Sequence, residues 1–214
     1  MSIREKLIRR LHPSPLGTPA LQLERVLRAP LQYARRKLMA RRAQDEQAIP
    51  IDRRLGFARF RAQDLPLGLE VVRQSEEVYE RPRRFVPWLH DAQLGRHGIA
   101  FDILSDDRLL AWPTFLDFAL SRTVLATATA YLGIVPVLRR IALGLSRFRA
   151  DLKTPSGSQL FHFDREDATQ LKLYMTVSSV ASHQGPLHFL TAETSARVVD
   201  ALRKRARRRL RASS

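Results

Sequence analysis

The sequence predicts an α+β fold in which N-terminal helices pack on an antiparallel β-sandwich or jelly roll that the chain only partly supplies. Three observations point there. The first third is cut by prolines into segments of helical character, and alternation with a two-residue period appears only in the second half. Helical and strand patterns also follow one another in blocks, which argues against the alternating βαβ units of a parallel sheet.

In chain order, Pro13, Pro15 and Gly17 mark a linker, Thr18 caps a helix with Pro19 in its first turn, and Pro30 opens a second helix that ends before Pro50. The stretch 53–96, broken by Pro66, Pro82 and Pro87, keeps no sustained period and reads as mixed loop and short helix. Thr114 and Asp117 have the spacing of a capping box, and the apolar run through Leu120, Leu125 and Leu132 stops at Gly133, so one helix is expected there. Ile141, Leu143 and Leu145 alternate with Ala142, Gly144 and Ser146, as Leu171, Leu173, Met175 and Val177 do with Lys172, Tyr174, Thr176 and Ser178. Both are expected to be strands, with Leu187–Leu190 a third short one. From Thr194, Val199, Leu202, Ala206 and Leu210 recur at helical spacing among arginines. Three regions result: a basic helical segment 1–50, a partial jelly-roll domain 51–196, and a basic tail 197–214.

A chain of 214 residues with 44% hydrophobic content suffices for one domain with a sizeable core. Without cysteine, disulfides, thiolate catalysis and Cys-based metal sites are excluded, so a metal would have to use His, Asp or Glu. Arg9 and Arg10 interrupt the early apolar residues, so a secretory signal is not expected and a cytoplasmic location is the default. The most apolar window, 116–138, contains Asp117, Arg122 and Pro136 and reads as a buried helix rather than a membrane span. The net charge of +16 is concentrated in the ends: 1–42 carries +9, 197–214 carries +7, and the body between them is neutral. Non-specific attachment of the tail to nucleic acid or another anionic surface is therefore expected, whereas base-specific recognition is not, because no aromatic residues stand among the arginines.

The motif with the sharpest chemistry is His162-Phe163-Asp164. On an extended strand, residues i and i+2 point to one face, so imidazole and carboxylate would converge. They are two of the three ligands in the facial triad of non-haem Fe(II) oxygenases, which leaves the opposite coordination face open. The tripeptide alone is common, and an exposed His with a salt-bridged Asp would explain it equally. Its surroundings are more specific. Tyr131 to Leu138, then Gly157-Ser158-Gln159-Leu160-Phe161-His162-Phe163-Asp164, then Leu171-Lys172-Leu173-Tyr174, then Gln184-Gly185-Pro186-Leu187 resembles, in order and spacing, the central block of the phytanoyl-CoA dioxygenase family, covering about residues 110–200. The resemblance implies a double-stranded β-helix (jelly roll), an Fe(II) centre, 2-oxoglutarate as cosubstrate, and hydroxylation of an unidentified small-molecule substrate. It implies His162 and Asp164 as the first two iron ligands and Tyr174 as an aromatic residue beside the cosubstrate. Packing of Tyr174 on sheet neighbours is an equal alternative, and Lys172, on the same face, reads as a solvated lysine.

The sequence departs from that family further on. No histidine follows His188, and His183 and His188 stand only 21 and 26 residues beyond His162, too early for the closing strand that carries the third ligand. The distal basic residue that pairs with 2-oxoglutarate is also missing, and Leu190-Thr191-Ala192-Glu193-Thr194-Ser195 replaces a Pro-Gly-Ser-His-like stretch. A jelly roll needs about eight strands, about twice the number recognisable here. The expectation is a truncated or partner-completed dioxygenase-like protein, weakly active or inactive. Its open edges would promote self-association. The alternative is a non-catalytic protein that binds polyanions or completes its fold with a partner.

Overall fold

The computed structural model describes residues 23–24, 26–42, 47–85, 100–104, 109–146, 160–162 and 169–212. The elements are α1 (Pro30–Arg42), α2 (Gly68–Phe85), β1 (Ala100–Asp102), α3 (Pro113–Ala119), α4 (Arg122–Leu132), β2 (Gly144–Ser146) and α5 (Ala192–Ala212), with 3-10 turns at Ala62–Asp64 and Ser182–Gln184.

The centre of the molecule is helical. Gly68, Val71, Ser75 and Val78 form the buried stripe of α2, at the three- and four-residue spacing of one helix face. Val71 and Val78 meet Leu65, Ile103, Leu104, Phe115 and Phe118 in one cluster, rimmed by residues that include Phe60, Trp112, Ile141 and Met175. The two small residues of the stripe have separate reasons. A Cβ on Gly68 would overlap the carbonyl oxygen of Ala62, so glycine lets the helix start directly on the preceding turn. The buried Ser75 hydroxyl donates to the Val71 carbonyl at 2.7 Å and is thereby satisfied. On the outer face, Arg73 pairs with Glu70 and Glu77, and Gln74 joins Glu70 to the Thr114 hydroxyl at 2.9 Å.

The described residues do not form the predicted jelly roll. Among the described residues, strand pairing is confined to β1 and β2, three residues each, with Ala100, Phe101 and Asp102 opposite Ser146, Leu145 and Gly144 in an antiparallel register. One further bond, from the Ile103 amide to the Leu143 carbonyl at 2.9 Å, joins this pair to the core. Of the predicted strands, 141–146 pairs only over Gly144–Ser146, while 171–177 and Leu187–Leu190 form no ladder. The alternation in 171–177 is followed only in part: Leu171, Met175 and Val177 are half-buried, with Met175 against the helical core, while Leu173 is exposed like Lys172, Tyr174 and Thr176. Partial one-sided burial without a partner strand gives much the same two-residue period as a strand.

Two helix expectations also change. The helix predicted across 114–132 is two helices, because Ser121 leaves the helical conformation (φ −59°, ψ 150°) and its carbonyl accepts the Leu125 amide as α4 begins. Trp112, not Thr114, precedes α3, with Pro113 in the first helical position. Gly133 closes α4 in the left-handed conformation, φ 66°, as the sequence predicts. In the stretch read as loop and short helix, α2 runs for 18 residues and passes through Pro82. The helices expected at Pro30 and over the tail are α1 and α5; the one proposed at Thr18 starts outside the described residues.

Two measurements check this core. Leu104 is 1% exposed, and Leu104→Ala is expected to cost about 2–5 kcal/mol in urea unfolding, through lost burial and a residual cavity. Hydrogen bonds from Arg73 and then Gln74 hold the Glu70 carboxyl at about 2, below its ordinary 4.5. Because the folded value is the lower one, the stabilisation is complete above 4.5 and is lost as pH falls towards about 2. An NMR titration should place the Glu70 midpoint near the lower figure, and Arg73→Gln should move it upward.

Candidate functional site

His162 lies in a described segment, 160–162, that belongs to no ladder, and its side chain is exposed. Its Nδ1 stands 2.7 Å from the Leu160 carbonyl oxygen. A carbonyl only accepts, so Nδ1 carries the proton, and in the neutral ring the lone pair lies on Nε2. This is the tautomer of a metal-ligating histidine whose other nitrogen is held by a carbonyl. Asp164 lies outside the described residues.

The other candidates are exposed as well. Tyr174 is 57% exposed and meets Phe189 with ring centroids 6.1 Å apart; Phe189 in turn stacks on Phe57 at 6.0 Å. The ring thus has an aromatic packing partner on the surface. Lys172 is exposed, as are His183, in a 3-10 turn, and His188. Among the described residues, no three His, Asp or Glu side chains stand close enough to hold a metal ion. The described part of the site therefore fits an Fe(II) centre only through His162 and does not supply the third ligand.

Sequence reasoning missed how firmly the basic tail is attached. A helix leaves its first amides without internal partners, and here those of Ala192, Glu193 and Thr194 each find one outside the helical ladder, which Ser195 begins. Ala192 donates to the Leu55 carbonyl at 2.8 Å, Glu193 to that of Arg54 at 3.0 Å, Thr194 to the Thr191 hydroxyl at 3.1 Å, and Ser195 to the Thr191 carbonyl at 2.8 Å. Thr191 is thus a side-chain cap, and Glu193 places an acid in the first turn, where the helix dipole favours it. Glu193 also pairs with Arg54 at 3.2 Å and with Arg197 at 3.0 Å. The receiving turn is shaped by Asp52, whose carboxylate accepts the Arg54 amide at 2.7 Å, and by Gly56 at φ 79°. Asp52 followed at the fourth position by Gly56 was the available signal for this turn.

At the other end, the Arg36 Nε of α1 donates to the Val135 carbonyl at 2.7 Å. Nearby, the Ile49 amide donates to the buried Thr127 hydroxyl at 2.9 Å, while that hydroxyl donates to the Thr123 carbonyl. Arg53 lies over the Tyr131 ring, 4.6 Å from its centroid. α1 and the first turn of α5 are therefore each hydrogen-bonded to the neutral body.

No helix among the described residues is long and apolar enough to cross a membrane. No protein family, curated protein or solved structure matches the chain.

The α5 attachment is open to test at Gly56, where a Cβ would stand 2.9 Å from that of Ala192 and the backbone is left-handed. Gly56→Ala should destabilise the protein by at least about 1–2 kcal/mol, the cost of that conformation for an L-residue. Hydrogen exchange at the Ala192 and Glu193 amides should accelerate more than at those of α2.

Proposed function

We propose that the chain is a dioxygenase-like protein, related to the phytanoyl-CoA dioxygenases, that binds Fe(II) weakly through His162 and Asp164 and turns over little or no 2-oxoglutarate. The reading rests on the order of the motif residues and owes nothing to a barrel. The observation that supports it is the 2.7 Å contact between the His162 Nδ1 and the Leu160 carbonyl, an arrangement that would present Nε2 as the metal-binding nitrogen.

Weakness follows from the ligand set. Two protein ligands leave the ion poorly oriented, and His162 in an exposed segment competes with water for it. The sequence also lacks the distal basic partner expected for 2-oxoglutarate. A charge-assisted hydrogen bond of that kind contributes about 1.5–3 kcal/mol.

The test is a calorimetric Fe(II) titration under anaerobic conditions, combined with a succinate assay. Weak, chelator-sensitive binding is expected, lost in both His162→Ala and Asp164→Ala. Succinate formation with iron, ascorbate, oxygen and 2-oxoglutarate should not exceed that of His162→Ala. Iron binding unchanged in His162→Ala would remove the metal from this site. Substantial turnover dependent on both residues would establish a full ligand set, with His188 the next residue to replace.

A further inference from the structure

The charge at the two ends of the chain accompanies a second feature, uncovered apolar side chains on the same helices. On α5, Val198, Val199, Leu202, Ala206 and Leu210 recur at helical spacing, with Ser195 also on that side, while most of the eight basic residues of the helix fall at the remaining positions. The bonds that fix α5 to the body are in its first turn. One turn further on, Val198 is 40% exposed and Leu202 is 58% exposed. α1 repeats the combination. Leu31 is 85% exposed, Leu38 and Met39 are about half exposed, and the helix carries five basic residues and no acidic one.

We propose that α5, assisted by α1, binds an anionic lipid surface, with the helix lying in the plane of the interface. Two parts of the pattern select this partner over nucleic acid. Phosphate neutralisation of DNA or RNA uses the arginines alone and leaves exposed leucines with nothing to meet. A bilayer surface uses both: the apolar stripe enters the boundary between headgroups and acyl chains, and the arginines, whose long stems reach outward, meet the lipid phosphates. Each basic residue near an anionic surface adds about 1 kcal/mol, so the positive helices complement a negative leaflet. Because no described helix is apolar enough to span, the mode is surface attachment.

The experiment is flotation of the full chain with phosphatidylcholine vesicles, with and without phosphatidylserine, alongside a duplex DNA binding assay. Binding is expected only with phosphatidylserine and should weaken as salt is raised. Leu202→Gln changes an exposed position and leaves the charge unaltered, so the fold should persist, as circular dichroism would verify. That substitution should weaken vesicle binding by about tenfold or more, the equivalent of losing one buried leucine, while leaving DNA binding within about twofold. A second variant, Leu31→Gln, should weaken vesicle binding less. Absence of vesicle binding while DNA is retained, or vesicle binding unchanged by Leu202→Gln, would overturn the proposal, the first in favour of nucleic acid and the second in favour of attraction by charge alone.

Discussion

Close approach of α2 to the turn before it and to α3 sets the rest of the architecture. The approach depends on a stripe that carries only two branched apolar side chains, Val71 and Val78, with Gly68 and Ser75 at the remaining positions. Gly68 removes the atom that would collide with the Ala62 carbonyl, so α2 starts only three residues after the 3-10 turn and packs against it. Leu67 accommodates the change of direction with φ 60°, a conformation unfavourable for a leucine that the surrounding contacts must maintain. Phe115 and Phe118 from α3 close the opposite side, and Leu104 fills the space between. The small β1–β2 pair is then held by position. A two-stranded ladder of three residues is not stable by itself, and here the Ile103–Leu143 bond and the burial of Ile103 tie it to the helical core.

Around this core, distant parts of the chain are joined mainly by backbone polar groups. The 54–55 carbonyls take the first amides of α5, Thr127 takes the Ile49 amide, and Val135 takes Arg36. Such bonds fix direction more than they add stability, since each replaces a bond to water and contributes about 1 kcal/mol net. Their consequence is positional. The helices with the strongest positive charge are joined to a neutral body at these points, and Leu31 on α1 and Val198 and Leu202 on α5 are left exposed.

Local signals that do not depend on distant partners were legible in the sequence. Pro30 opens α1, Gly133 ends α4 with a left-handed residue, and the tail is helical, although α5 begins at Ala192, ahead of the Thr194 from which its spacing is read. The helix α2 was obscured because its buried face contains glycine and serine, and because Pro82, ordinarily a breaker, sits in its last turn and removes a single internal donor. The long apolar run after Thr114 concealed a break at Ser121, where a side chain well suited to the start of a helix interrupts one already formed. At the candidate site, His162 was legible as a residue type, while its tautomer could come only from the position of the Leu160 carbonyl.

The fold class failed for a reason that also bears on the metal site. A period of two records that alternate side chains meet a core, and it carries no information about what runs alongside the backbone. Here Met175 meets a core built mainly of helices while Leu173, in phase with it, is exposed, and no ladder pairs the segment. The same ambiguity reaches back to His162. On a central sheet strand, the i and i+2 side chains are presented to a metal at no further cost, because the ladder has already fixed the backbone. Leu160, Phe161 and His162 are exposed and outside any ladder, so coordination at the proposed site would itself have to supply part of that ordering, at roughly 1–2 kcal/mol for each residue fixed. Donors that must also order their own backbone bind weakly even where their chemistry is correct.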